Sequence, residues 1–498
     1  MLSALTTWFV WAAIDPLPLV EDEYSYVLQS RIFASGHWTA PTPPAPDFFQ
    51  QAHVLTIPAV ASKYFPGHAL LLALGALVDA PALVPLFLTA ITGVLLFALA
   101  RRIANTSVAV LAWIIWLSDP INLRFRPGYY SEVTSCALWF ASWWALLEWR
   151  ETRRTRWLLA LAAAVGWGAI TRPLTMLAFA VPVGVVVLRD VTRASLWRDF
   201  AMAVALGTLL LGVIPLWSAE TTGNWRLTPE ALYTRDYLPF DKPGFGVDST
   251  PPARALAPPN RFTYLGFFDE HVKHTPARLP RIALERLGVI AHDEWSGPRL
   301  VLVPFVVIGA FAMNAAAGFA LVCSFALFAG YLSYGHWSHW TLYYFEATPV
   351  LSLIAALGLW RAVDWIRARA GRTPAESRWY GRALVVAAVP LVLLAAYELR
   401  DFRRQRERAA AWDLAFRNLL DHLPMKEAVI FVHYAPRVGP HAEVVTNSPH
   451  LADDPIWIVH DLGARNAELM RYSGPRIPLA FQEDGGKIEV DRSLLGVK

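Results

Sequence analysis

Long unbroken apolar segments dominate this chain, and they decide what it can fold into. Read at roughly 20 residues each, the length a helix needs to cross a bilayer, they fall at about 2–19, 82–100, 107–118, 131–149, 157–171, 174–189, 199–218, 299–316, 318–334, 346–362 and 383–397. A further short piece occupies 67–78 and is closed by Asp79-Ala80-Pro81. Only 17% of the 498 residues are charged, against about 25% in an average soluble domain. Hydrophobic residues make up 55%. A disordered chain and a disulfide scaffold are excluded, and a soluble enzyme nearly so. The expected fold is an all-α polytopic membrane protein of about 11–13 transmembrane helices with a small C-terminal α/β domain.

The net charge is +4, and its placement says more than its size. Arg101 and Arg102 follow one apolar block; Arg150, Arg153, Arg154 and Arg156 crowd a short loop; Arg189, Arg193 and Arg198 crowd another. Arg361, Arg367, Arg369, Arg372, Arg378 and Arg382 crowd a fourth. These loops alternate with 119–130, 172–173, 219–298 and 335–345. The bias of basic loops toward the cytoplasm puts the second set outside. Residues 15–66 then also lie outside, provided 67–100 crosses once and 67–78 is a half-helix or interfacial helix. Leu2–Ile14 has no basic leader and no small-residue cleavage site, so it reads as the first span and not as a signal peptide. It is short for a span, as a true start upstream of Met1 would make it. No basic stripe carries base-stacking aromatics, so nucleic acid is set aside. Cys136 and Cys323 lie inside apolar blocks, which speaks against a disulfide or a zinc site.

Chemistry-bearing residues collect in the outside loops. Glu21-Asp22-Glu23 opens an expected helix over Tyr24–Phe33. Three carboxylates at a membrane boundary are costly unless solvated or used, although a helix N-terminus also favours acids. One of them can serve as a general base. Lys63-Tyr64-Phe65-Pro66-Gly67 places a lysine before a helix N-terminus. That suits phosphate, and it equally suits a lysine reaching to lipid headgroups. The segment 119–132 holds Arg124, Arg126, Tyr129, Tyr130 and Glu132, where arginines on the outer side need a reason such as anion binding. Arg172 stands alone between two blocks. The turn His336–Glu346 carries His336, His339, Trp340, Tyr343 and Tyr344, a surface suited to stacking on sugar faces. An aromatic belt explains its Trp and Tyr but not its histidines and glutamate.

After 397 the composition changes. Residues 398–423 read as a basic amphipathic helix on the membrane surface. Strands are expected at Ala428–His433, Ile456–His460 and Arg476–Phe481, with a helix over Arg465–Arg471. His433, His441, His450 and His460 match no strong ligand spacing and read as surface residues. The division is thus 1–397 as a membrane domain, with outer loops 15–66 and 219–298, and 398–498 as an extracytoplasmic soluble domain.

Four segments, EDEYSYVLQSRIFASGHW at 21–38, KYFPGHALLLALG at 63–75, GAITRPLTMLA at 168–178 and YYFEATPVLSLIAALGL at 343–359, resemble polyprenyl-phosphate-sugar glycosyltransferases of the GT-C superfamily. The branch is that of protein O-mannosyltransferases, aminoarabinose transferases and related family 39-type enzymes. The resemblance covers about 1–397. It implies a GT-C fold with its active site on the outer face, a polyprenyl-phosphate sugar donor and an inverting transfer to a glycan, lipid or protein acceptor. It places the acidic pair on Asp22-Glu23, with Asp22 or Glu23 as base, and the phosphate-binding lysine on Lys63. Glu21, Tyr64 and the aromatic residues of the later loops would line the substrates. Two departures stand out. Phe65 replaces the family's second proline. Thr341-Leu342 stand where an arginine often precedes the Tyr-Tyr, so Arg172, Arg124 or Arg126 would have to supply that charge. A divalent metal is possible in this scheme but not required. A bacterial inner membrane fits. The other readings are a lipid-linked oligosaccharide polymerase or ligase, and a transporter or flippase. The second would want charges within spans, whereas here they sit at loops and span ends.

Overall fold

The computed structural model describes residues 1–370, 377–434, 444–482, 487–491 and 493. Arg372 and His441 lie outside the described residues. The chain groups into two compact units: residues 1–16, 82–211 and 276–406 form the first, and 17–81, 212–275 and 407–498 the second.

The first unit is helical, and every apolar block expected in it carries a helix. Five helices of the described chain are long and apolar enough to cross a membrane: Leu83–Ile103, Pro173–Ala194, Trp197–Thr222, Thr341–Arg369 and Trp379–Asp421. The pair Pro276–Trp295 and Gly297–Ala312, bent by 99°, adds a sixth if taken as one span. That count is below the expected about 11–13 spans, because several apolar blocks carry helices shorter than a full span, among them Gly67–Ala76, Thr106–Leu117 and Ala315–Tyr331. Asn105 accepts from the Val108 amide at 2.9 Å and starts Thr106–Leu117. Asn314 accepts from the Ala317 amide at 3.1 Å and starts Ala315–Tyr331. Both are ordinary N-caps. The first block is helical only over Leu2–Val10. Pro16 and Pro18 follow, and a proline disfavours helix at the residue before it. Phe311 is 90% exposed and Val386 74%; large side chains left out like this suit contact with lipid.

Charged ends meet one another in this unit. Arg102 bonds Glu148 at 2.7 Å and also reaches Glu151. Arg150 and Arg153 hold Asp190 at 3.1 and 2.9 Å. The closest packing is between Val303–Ala312 and Thr348–Arg369. A Cβ on Gly309 would stand 1.9 Å from the Ile354 carbonyl oxygen, and one on Gly358 would stand 1.8 Å from that of Phe305. Small residues that let two backbones touch are the usual device of helix association in lipid.

In the second unit, Glu21–Ala34 and Gly67–Ala76 are helices, and the chain between them forms a short antiparallel hairpin. Its strands are β1 (Val54–Leu55) and β2 (Ala61–Ser62), with Val54 opposite Ser62. The ten residues of Gly67–Ala76 reach about 15 Å, half a bilayer core, as a half-helix would. Helices Pro229–Tyr237 and Pro258–Lys273 come from the second long loop. The C-terminal part holds β3 (Ala428–His433), β4 (Ile456–His460), β5 (Ile477–Gln482) and β6 (Lys487–Val490), in the order β4-β3-β5-β6. The first three are parallel and β6 is antiparallel. Two strands fall where the sequence placed them, and a short helix covers Asn466–Met470.

Two expectations are corrected here. Residues 398–423 are not a separate surface helix, because a single helix runs Ser377–Asp421. No breaker separates its apolar half from its basic half, so the composition changes while the helix continues. His460 is not a surface residue. It is fully buried, and its Nε2 donates to the Gln50 carbonyl at 2.7 Å. Strand alternation puts it on the same face as Ile458, which packs inward.

Gly358→Leu should therefore break the helix crossing. Forcing atoms into packed space costs about 1–3 kcal/mol even where side chains can move, and here backbone stands in the way. The melting temperature in detergent should fall by several degrees, while Gly184→Leu, where the space is open, should leave it nearly unchanged. Equal melting for both variants would contradict the crossing.

Candidate functional site

In the second unit the three acids form the first turn of Glu21–Ala34. There the exposed amides and the helix dipole favour negative charge. They are not equivalent. Glu23 is fully buried and accepts from the Leu19 amide at 3.2 Å, closing the turn before the helix. Glu21 is buried as well. Asp22 is the accessible one, with 36% of its side chain exposed. The Tyr64 hydroxyl donates to its Oδ1. The His53 Nε2 stands 4.0 Å from its Oδ2.

The hairpin sets the rest. Its register makes His53 and Lys63 neighbours at the open end, where the Lys63 amide donates to the His53 carbonyl at 2.9 Å. The Lys63 ammonium is nearly buried. It lies 3.7 Å from Asp241 and about equally far from the Tyr64 and Tyr233 rings, 5.2 and 5.1 Å from their centroids. A cation in such a cage is held by ring quadrupoles as well as by the carboxylate. Asp241 also stands 3.8 Å from the His271 Nε2. The result is a carboxylate, an ammonium and a phenol gathered at one place. This arrangement can take a proton at one point and hold an anion close by.

The first unit gathers a second set. Arg172 bonds Glu132, and also Ser131 at 3.2 Å and the Tyr331 hydroxyl at 3.0 Å. Its Nε is 4.0 Å from buried Glu346, which Ser135 also bonds. Its charge is thus largely balanced by carboxylates. The Tyr343 ring lies 5.8 Å from its guanidinium. The His336 Nε2 is 3.3 Å from the Tyr344 hydroxyl, and its ring is 4.5 Å from that of Tyr343. Trp340 packs edge-on against Trp337, which stacks on His339. Arg124 bonds Asp293 at 2.7 Å with 42% of its side chain exposed. Arg126 is closed off: it is 1% exposed, lies 5.0 Å from the Trp116 ring, and donates to the Leu117 carbonyl at 3.3 Å. Tyr129 donates to the Pro16 carbonyl at 2.8 Å, and Tyr130 packs edge-on against Phe125. Both tyrosines are buried.

Sequence reasoning missed His53, Tyr233, Asp241 and Arg286. Arg286 is fully buried and holds the turn at 331–336 by donating to the carbonyls of Tyr331, Tyr334 and His336. The only sequence signal for the first three was the density of aromatic and histidine residues in the two long loops. Among the described residues no group of three His, Cys, Asp or Glu side chains is placed to hold a metal.

Residues 66–218 match the family model described as dolichyl-phosphate-mannose-protein mannosyltransferase. The structure is similar to the crystal structure of ArnT from Cupriavidus metallidurans in the apo state, at 16% identity and a TM-score of 0.54. It is similar also to the same protein bound to undecaprenyl phosphate, at 18% identity and a TM-score of 0.52. Each likeness covers 96% of this chain and 91% of the other. No curated protein sequence matches significantly. The fold expected from the resemblance is the fold found.

Burial pushes His460 down to about 4, and burial together with Lys63 does the same to His53. Both stay neutral in the folded protein at pH values where an unfolded histidine, near 6.5, is already charged. The unfolded chain therefore binds more protons between about pH 6.5 and 4, and stability falls as pH drops through that window. The melting temperature should be flat above pH 7 and decline on acidification. In His460→Gln the decline should be shallower, from a lower starting value. Parallel curves for the two proteins would contradict the assignment.

Proposed function

We propose that this chain is an inverting glycosyltransferase. It moves a sugar from a polyprenyl-phosphate donor to an acceptor hydroxyl at the outer face of a bacterial inner membrane. The observation that carries this reading is the pairing, inside one compact unit, of an accessible carboxylate on a helix N-terminus with a caged lysine beside it. The match of 66–218 to a lipid-phosphate mannosyltransferase model supports the donor class. So does the likeness to a protein solved with undecaprenyl phosphate.

The chemistry assigns roles. The acceptor O–H bond breaks as Asp22 takes the proton, and the oxygen attacks the anomeric carbon. The bond from that carbon to the phosphate oxygen breaks on the opposite side, and the electron pair leaves with the polyprenyl phosphate. Asp22 is the base because it is the acid of the triplet with solvent access and a hydroxyl donor aimed at it. Tyr64 orients it. Lys63 meets the charge that grows on the leaving phosphate, exchanging part of its contact with Asp241. No step needs a metal.

The test is release of polyprenyl phosphate by protein in nanodiscs, given a panel of polyprenyl-phosphate sugars and acceptors. Asp22→Asn should lower kcat by about 10³-fold, the scale of a lost general base. Lys63→Ala should lower kcat/KM by about 10²-fold, the scale of one lost charge-stabilising donor. Asp22→Asn should keep the wild-type melting temperature within a few degrees, whereas Lys63→Ala should lower it while the protein stays folded, because the nearly buried side chain of Asp241 loses its cation. Full activity in Asp22→Asn would remove the base. No release from folded wild type with any donor and acceptor would remove the proposed function.

A further inference from the structure

His53 lies outside every motif that carries the resemblance, yet the fold holds it in a strained conformation. Its φ is +62°, in the left-handed region that few residues other than glycine enter, histidine being among the more tolerant. Three hydrogen bonds keep it there. Its amide donates to the Tyr233 hydroxyl at 3.0 Å, and its carbonyl accepts from the Lys63 amide at 2.9 Å and the Ser25 hydroxyl at 3.0 Å. Strain of this kind persists only where the surroundings over-determine it, and it gathers at functional sites. Here it aims an imidazole. The Nε2 is 4.0 Å from Asp22, the ring is 5.5 Å from that of Tyr64 and 5.9 Å from that of Tyr233, and the buried Nδ1 has no hydrogen-bond partner among the described residues.

The groups that face this ring are Asp22 and Glu21 from the helix, Lys63 and Tyr64 from the hairpin segment, and Tyr233 and Asp241 from the second loop. Asp22 and Lys63 carry opposite charge on adjoining segments, the carboxylate open to solvent and the ammonium nearly buried. Left alone they would attract strongly. A direct pair would lower the basicity of the carboxylate and cancel the ammonium. Instead Asp22 takes the Tyr64 hydroxyl and Lys63 takes Asp241. Among the described residues no ion pair joins Asp22 to Lys63.

We propose that His53 is a positioning residue, an uncharged spacer that keeps Asp22 and Lys63 from collapsing onto each other. The carboxylate is thereby left to take a proton and the ammonium to meet a phosphate. The inference rests on the roles given to Asp22 and Lys63 above. It implies that a fixed positive charge at position 53 is worse than loss of the imidazole, because the cation would pair with Asp22 and quench it.

Two variants separate the effect of charge from that of shape. His53→Gln and His53→Lys bear the same added cost of a left-handed backbone and differ in charge. His53→Gln should lower kcat by about 5-fold and His53→Lys by about 100-fold or more, with the donor KM within about 2-fold of wild type in both. Melting temperatures of the two should agree. A kcat within about 3-fold of each other in the two variants would overturn the spacer role, since a merely structural histidine fails alike in both. A second readout needs no turnover. In protein with isotope-labelled histidine, the His53 titration followed by NMR should move to lower pH in Asp22→Asn and to higher pH in Lys63→Met. No movement in either variant would overturn the juxtaposition. Absence of wild-type turnover with both movements present would remove the transferase reading, and the spacer role with it, and leave only the juxtaposition of His53 with Asp22 and Lys63 standing.

Discussion

One main-chain hydrogen bond, from the Lys63 amide to the His53 carbonyl, closes the hairpin on which the candidate site depends. It makes the imidazole and the ammonium neighbours. It also fixes the direction of Tyr64, whose hydroxyl reaches back to Asp22. Ser25, one turn into the helix, bonds both the His53 carbonyl and the Ser62 hydroxyl. The Gln29 side-chain oxygen accepts from the Ser62 amide. The helix that presents Asp22 and the hairpin that presents Lys63 are thus tied by three hydrogen bonds. Neither can shift without the other, and preorganisation of that kind is what electrostatic catalysis requires.

The bilayer explains why the chemistry is in the loops. In hydrocarbon every backbone polar group needs an internal partner, so helices are what remains for the spanning segments. Charge inside them is costly. In the first unit Arg172 is matched by Glu132 and Glu346, Arg299 by Glu294 and the Ser118 carbonyl, and Arg286 by three carbonyls, whereas buried Arg126 bonds the Leu117 carbonyl and lies against the Trp116 ring. The glycines at 309 and 358 serve the same economy, since backbone contact replaces the hydrophobic drive that lipid does not supply.

The apolar blocks were legible in the sequence because composition alone marks them, and β3 and β4 were legible because short apolar runs stood between polar ones. Asp22 and Lys63 could be singled out in the sequence because each belongs to a local pattern. What failed has a physical cause in each case. The helix at 377–421 continues through the change of composition near 397 because no Pro or Gly stands at that point, and it also runs on through Pro390; polarity alone does not end a helix. The first block is helical only to Val10 and then turns toward Pro16 and Pro18, which a hydropathy reading ignores. His53 meets Tyr233 across 180 positions of chain, and no periodicity reports a contact at that range. Arg126 looked like an anion site because its loop was read as outer surface. Its burial against Trp116 is a packing fact.

The central claim is a single displacement in which Asp22 deprotonates the acceptor as the phosphate leaves from the opposite face. The most direct test is the anomeric configuration of the transferred sugar. It would be read from the one-bond carbon–proton coupling at C1 of product made from a donor of known configuration. The account predicts the configuration opposite to that of the donor. A product that keeps the donor's configuration would require a covalent intermediate or a front-side path, and would contradict the role given to Asp22.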